Sequence, residues 1–307
     1  MNAREQLSLV LDSPLIGKVK NNRTVMFWSF FSLSKELVTE LPVYDDGRVR
    51  IEVTGTKHGV ANIYDKDVLI YLVSLIQDKI NRNEAVDRRL TFTINDFCRV
   101  VGRVPGGSAY ARIESALLRL KGTMIYTNIE TGGEGEDSAF SWIGDFKINY
   151  RRGKDGEKVM RSVTVELCEW LYRAVLRDGN MLTHPVSYFK LAPLERRLYE
   201  IARSGPQGGF RMNLEKLRVK VGSSGDLKEF KRRILALTKL RNPIPEYGIG
   251  LIDPRAQRTL EIKAPPPRGR TPLMAYQVYF FRTDRLANMK PSMHAPIVGD
   301  FPEDEGP

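Results

Sequence analysis

The chain has 307 residues, 48 Lys and Arg against 37 Asp and Glu, and a formal net charge of +11. That length is too long for one ordinary domain and comfortable for two, and 42% hydrophobic with 28% charged residues excludes a disordered or fibrous chain. No apolar run is long enough to cross a bilayer and Met1–Lys20 lacks a signal-peptide core, so the charge points to an anionic partner, nucleic acid before a membrane surface. Cys98 and Cys168 each sit among apolar neighbours and are expected as buried, reduced thiols of a cytoplasmic protein.

Residues 1–24 read as a flexible basic segment with Lys18, Lys20 and Arg23. Val25–Leu33 predicts one or two buried strands, with Phe27, Trp28, Phe30 and Phe31 in the core and not stacked on bases. Arg48–Val53 alternates as a strand after the turn Asp45-Asp46-Gly47. Asp65–Asn81 is the clearest helix, with Val68, Leu69, Leu72, Leu75, Ile76 and Ile80 at helical spacing and Asp65 as its cap. A strand follows at Arg89–Ile94, then a short helix capped by Asn95 and ended by Gly102. Ser108 opens the helix Ala109–Lys121. Thr123–Glu130 and Ala139–Tyr150 read as paired strands around the acidic turn Thr131–Asp137, followed by a strand at Lys158–Glu166 and a helix at Leu167–Leu176.

A similar order then returns. Leu191–Arg203 is a helix with Pro193 in its first turn. Phe210–Met212 is a strand, Asn213 caps a short helix that Gly222 ends, and Asp226 caps Leu227–Arg241. Strands follow at Ile249–Ile252, Thr259–Ile262 and Tyr276–Phe281, and the proline-rich, acidic end from Pro291 is expected to be poorly ordered.

A shift of 120 positions lays one long helix on the other, Tyr110 on Phe230, Arg112 on Arg232, Ala116 on Ala236, Leu117 on Leu237 and Arg119 on Lys239. Helix, strand, short helix, turn, helix, hairpin is the order of a winged helix-turn-helix. The expected fold is therefore α+β, two tandem winged helix-turn-helix domains with a pseudo-two-fold internal repeat. The expected boundaries are 25–180 and 181–285, with a disordered tail at 286–307. Tyr110, Ile113, Leu117 and Leu120 should face one core, and Phe230, Ile234, Leu237 and Leu240 the other. The opposite faces carry Ser108, Arg112, Ser115 and Arg119, with Lys121 beyond, and Lys228, Lys231, Arg232 and Lys239. Such faces can enter a major groove, where Arg reaches guanine edges and Lys neutralises phosphate. Arg255 and Arg258, with Lys263, Arg268 and Arg270, make the second hairpin a candidate for backbone or minor-groove contact. Two features fit less well. Leu118 and Leu235 fall near the outer faces, and Glu134, Glu136 and Asp137 would make an acidic first wing that phosphate repels.

Two stretches resemble a known family. Ile63–Asp78 (IYDKDVLIYLVSLIQD) is similar to the first helix of the plasmid replication initiator protein A family. Leu191–Gly222 resembles that family's second half, above all ERRLYEIAR, the LEKL helix and the Gly-Ser turn. The likeness runs from about Phe30 to Phe281. It implies an initiator that binds repeated double-stranded sites (iterons) at a plasmid origin and helps open the duplex. It also implies recruitment of host replication proteins, such as a replicative helicase or the chromosomal initiator, and repression of its own gene. Such initiators often switch between dimer and monomer, and the sequence leaves a homodimer open. Arg197 and Glu200 read as structural or phosphate-positioning residues.

No catalytic, metal or cofactor site is expected. His58, His184 and His294 are isolated, so the histidine-held metal and tyrosine of a nicking enzyme are missing. Val104-Pro105-Gly106-Gly107-Ser108 lacks the lysine of a nucleotide-binding loop, and two distant cysteines make no zinc site. The alternatives left open are a repressor with the same folds and a single-strand binder, which would need exposed aromatic platforms.

Overall fold

A computed structural model describes residues 13–15, 18–135, 137–152, 156, 158–206, 209–240, 242–255 and 269–286. They divide into two units: residues up to Val25 with Phe30–Lys190, and Met26–Ser29 with the residues from Leu191 on. The class is mixed α and β.

The first unit begins with β1 (Lys18–Asn22), part of the segment expected to be flexible, which pairs antiparallel with β9 (Met181–Pro185). That pairing keeps Met181–Lys190 in the first unit, where the sequence placed a boundary before Met181. Helix α1 (Arg23–Phe27) follows at once, with the Val25 N–H donating to the Asn22 side chain at 3.2 Å. Val25–Leu33 is therefore not strand. A run buried on all sides carries no period that separates a strand from a turn of helix, and Val25, Met26, Phe27, Trp28, Phe30 and Phe31 are all buried. Phe30 and Phe31 pack on Trp142 at centroid distances of 5.4 and 5.0 Å, and Trp142 meets Trp170 at 6.4 Å. The Trp170 indole N–H donates to the Ile129 carbonyl at 3.1 Å, so its one polar group is satisfied inside the core.

Strands β2 (Tyr44–Asp45), β3 (Arg50–Thr54), β5 (Met124–Thr127) and β6 (Ser138–Ser141) form one antiparallel sheet in the order β2-β3-β5-β6. Helix α2 (Lys66–Asn81) is buried nearly all round in its first three turns, beyond the one face that its apolar spacing predicts. Asp65 sits at its N-cap position but makes no cap hydrogen bond. Then come β4 (Arg89–Phe92), α3 (Ile94–Val100) and α4 (Gly107–Gly122). Thr93, not Asn95, caps α3, accepting from the Asp96 N–H at 3.1 Å. The hairpin β7 (Ile143–Arg152) and β8 (Lys158–Leu167) joins β4 in the order β4-β8-β7, and α5 (Glu169–Arg177) follows. The stretch expected as a single strand, Ala139–Tyr150, is thus divided between two sheets.

In the second unit, α6 (Pro193–Ser204) leads to β10 (Phe210–Asn213), α7 (Leu214–Val221) and α8 (Leu227–Thr238). Strands β11 (Tyr247–Ile252) and β12 (Gln277–Arg282) complete a sheet in the order β10-β12-β11, and α9 (Thr283–Leu286) ends the described chain. The expected strand Thr259–Ile262 and the proline-rich tail lie outside the described residues. Arg197, 2% exposed, binds Met26–Ser29 into this unit. Its guanidinium donates to the Met26 carbonyl, to Phe27 at 2.8 Å and to Lys220 at 3.1 Å, and pairs with Glu200. Lys220 lies 3.3 Å from the Phe27 ring centroid, and the Ser29 hydroxyl donates to the Val221 carbonyl at 3.4 Å. Arg197 and Glu200 are therefore structural.

A pattern of burial recurs along the chain. Leu90 and Phe92 match Phe210 and Met212, the caps Thr93 and Asn213 match, and so do Ile94 and Leu214, Phe97 and Leu217, and Val101 and Val221. Gly102 and Gly222, with φ of 67° and 75°, end the two short helices in the left-handed region. All of these pairs are 120 positions apart. Beyond the glycine the offset changes. The buried residues of α4 are Ala109, Ile113, Ala116, Leu117 and Leu120, and those of α8 are Phe230, Ile234 and Leu237. Ala109, Ile113 and Ala116 take the places of Phe230, Ile234 and Leu237 at an offset of 121, so the second turn holds one more residue than the first.

Candidate nucleic-acid interface

Helix α8 starts where Asp226 accepts the Glu229 N–H at 2.7 Å, and it is held by Phe230, Ile234 and Leu237 on one face. On the opposite side Lys228, Arg232, Leu235, Ala236 and Lys239 are exposed, and Arg233 is exposed on the flank of the buried face. The helix stops at Thr238, so Leu240, expected in the core, is 54% exposed beyond it. The Arg232 side chain is 77% exposed, and its Nε and Nη2 each lie 2.8 Å from the Glu229 carboxylate. This hydrogen bonding holds the Glu229 carboxyl below its usual range and raises Arg232. An ion pair in full solvent is weak, so the guanidinium can leave Glu229 for a base or phosphate at little cost. Lys231 is half-buried, its ammonium 3.3 Å from the Tyr276 ring centroid.

Helix α4 differs. Arg112 is exposed but folds back on its own helix, Nε to the Ser108 carbonyl at 2.9 Å and Nη2 to the Ser108 hydroxyl at 2.7 Å. Arg119 grips Asp65 through Nε and Nη2, both at 2.7 Å, and the Asp65 side chain is 4% exposed. The Asp65 hydrogen bond raises the Arg119 pKa. This pair stands where a helix cap was expected of Asp65, and it engages the Arg119 guanidinium within the unit. Lys121 donates to the Gly144 carbonyl. Successive residues are about 100° apart around a helix, so the one-residue slip turns the outer faces relative to each other. Equivalent by burial to Lys228, Arg232, Leu235, Ala236 and Lys239 are Gly107, Ala111, Glu114, Ser115 and Leu118. That stripe of α4 has no cation. Arg112 matches Arg233, and of the residues expected to read DNA from α4 only Ser115 lies on the stripe.

Beside α4 a cavity of about 330 Å³ is lined by Asp65, Phe97, Cys98, Arg103, Arg112 and Arg119, among others. The hairpin that pairs with β4, as β11–β12 pairs with β10, is β7–β8, not the acidic turn. It exposes Lys147, Tyr150, Arg151, Arg152 and Arg161. The alternation of Lys147–Arg152 before Asp155-Gly156 is the signal that would have found it. The turn at Thr131 belongs to the other sheet. Its Glu134 pairs with Arg173 at 2.8 Å and with Arg177, which holds its carboxyl below the usual range, and the Gly132 N–H donates to Asp178 at 2.6 Å. On the second hairpin, Asp253 accepts the Arg255 N–H at 3.0 Å, the Thr271 hydroxyl at 2.7 Å and the Tyr276 hydroxyl at 3.0 Å. Arg255 is half-buried at the base of that loop. Arg258, Lys263 and Arg268 lie outside the described residues, and Arg270 is exposed.

Among the described residues no group of three His, Cys, Asp or Glu side chains is placed to hold a metal ion. No helix among them is long and apolar enough to cross a membrane.

Comparison with known proteins places this frame. The domains 2 and 3 of RctB, solved as a selenomethionine derivative, match with a TM-score of 0.57 at 16% identity, over 84% of this chain and 97% of that one. The Pi initiator protein crystallised in complex with iteron DNA matches with a TM-score of 0.50 at 12% identity, over 87% and 97%. At such identities the likeness is one of fold. In sequence, a "Putative replication protein" of Wigglesworthia glossinidia brevipalpis is 36% identical over 245 residues, 78% of this chain and 87% of that protein. The model of the family Replication initiator protein A matches residues 20–249. The chain belongs to the replication initiator protein A family.

Proposed function

We propose that the protein is a sequence-specific, double-stranded DNA-binding initiator of plasmid replication, built from two winged helix-turn-helix units, with α8 as its principal reading helix. The observation that carries the reading is the outer stripe of α8, where Lys228, Arg232 and Lys239 are exposed on a helix anchored by three buried apolar residues. A rigid helix with one cationic face is suited to the major groove, with Arg on guanine and Lys on phosphate. Arg233 and the second hairpin add phosphate contacts, and the first unit contributes through Arg112 and the β7–β8 hairpin. Family membership and the fold shared with an initiator crystallised on iteron DNA support the assignment. In this reading the protein opens the origin by binding repeats and engaging host replication proteins, represses its own gene from the same sites, and has no nuclease or ATPase activity. Purified protein should footprint repeated duplex sites beside its own gene and shift them in preference to random duplex and to single strands. Equal affinity for all three would overturn the reading, and magnesium-dependent nicking of a supercoiled origin plasmid would overturn its non-enzymatic part.

A further inference from the structure

The centre of the α8 stripe is apolar. Leu235 is 43% exposed, with Ala236 exposed beside it. At about 100° per residue, Leu235 shares the outward side with Lys228, Arg232 and Lys239, opposite the buried Phe230, Ile234 and Leu237. Arg232 lies one turn before it and Lys239 one turn after. When this face enters a groove, its cations meet phosphates and polar base edges, which leaves the leucine needing an apolar surface. In the major groove the C5-methyl of thymine is that surface, since the other features each base pair offers there are hydrogen-bond donors and acceptors. We propose that Leu235 is a specificity residue of this protein, reading a thymine methyl in the bound repeat. Arg232 then sets register on the neighbouring base pair and Ala236 leaves room for the methyl. The inference rests on the reading of α8 as a groove-binding helix.

The test uses the full-length protein, the duplex segment it protects beside its own gene, a scrambled duplex of equal length, and copies in which single thymines are replaced by deoxyuridine. That replacement removes only the methyl. Loss of one buried methyl should weaken binding about threefold to fourfold at one position in each repeat. Leu235→Ala should bind the thymine duplex more weakly by a similar factor and should bind thymine and deoxyuridine at that position equally. Leu235 is exposed, so the variant should fold, and an unchanged denaturation midpoint verifies it. If the repeat is preferred over the scrambled duplex but no deoxyuridine matters, or if Leu235→Ala keeps the wild-type penalty, the role of Leu235 is overturned and α8 binding stands. If wild-type protein binds repeat and scrambled duplex equally, both are overturned.

Discussion

Replacing Arg197 by alanine should cost the second unit about 3–5 kcal/mol, the cost of breaking a buried ion pair from one side. Arg197 is 2% exposed and Glu200 is 0% exposed, so the substitution breaks an ion pair in the core from one side. It also takes donors from the Met26, Phe27 and Lys220 carbonyls, two of which belong to the inserted Met26–Ser29 segment. Whole-domain stabilities are about 5–15 kcal/mol, so the unit would be marginal. Hydrogen exchange read by mass spectrometry suits the question. Amides of α6, α7 and α8 should lose about two to four decades of protection, while those of α2 and β8 keep theirs. Trp28, 6% exposed, should turn solvent-accessible to a quencher in the same variant. Restoring neutrality with Arg197→Met and Glu200→Leu together should recover the part of the loss due to the broken charge pair, and not the part due to the three carbonyls that lose a donor. A loss below about 1 kcal/mol, or an equal loss of protection in both units, would refute the role given to this pair.

Other substitutions separate packing from binding. Gly222→Ala should lower the denaturant midpoint by the equivalent of about 1–2 kcal/mol, because φ is 75° and a Cβ would overlap the Ser29 hydroxyl. Gly225→Ala, with its nearest neighbour at 3.8 Å and no positive φ, is the control and should change little. Arg119→Ala should cost about 1–3 kcal/mol of stability by removing the ion-pair partner of Asp65, which keeps the Asn62 N–H, with unaltered DNA affinity in the folded protein; reduced affinity at full stability would return Arg119 to the interface. Burial pushes the Cys168 thiol up to about 12 and raises Cys98 as well. The reactive thiolate forms only as pH approaches those raised values, so neither cysteine should be alkylated at pH 8 until denaturant is added. Rapid alkylation of the native protein would contradict their burial.

Much of this was legible in the sequence because it is local. Asn213, Gly222 and Asp226 cap as their side chains and conformations require, and the family wording of Leu191–Gly222 identified the second unit. Where sequence and structure differ, contact between residues far apart in the chain is one cause and a local change of register is another. Arg119 looks like a groove residue on a helical wheel, and only the fold brings Asp65 to it. The identities at an offset of 120 in the two long helices do not show that burial follows 121, since one extra turn residue leaves the letters aligned while turning the face. The acidic turn after α4 looks like a wing in sequence order, whereas strand pairing gives that place to the later β7–β8 hairpin. In Val25–Leu33, adjacent residues serve two different cores, so no single period describes them.

The salt dependence of binding to the protein's own repeats tests most directly whether α8 carries the interface. Each phosphate contact contributes about one unit to the slope of log affinity against log salt. Lys228→Ala and Lys239→Ala should each lower that slope by about one, and Arg232→Ala should weaken the repeat about 5-fold to 150-fold more than random duplex. Arg112→Ala should have a smaller effect, and Arg119→Ala none on the slope. If the α8 variants keep the wild-type slope and repeat preference while the α4 variants lose them, DNA is read by the first unit and the assignment made from the outer face of α8 is wrong.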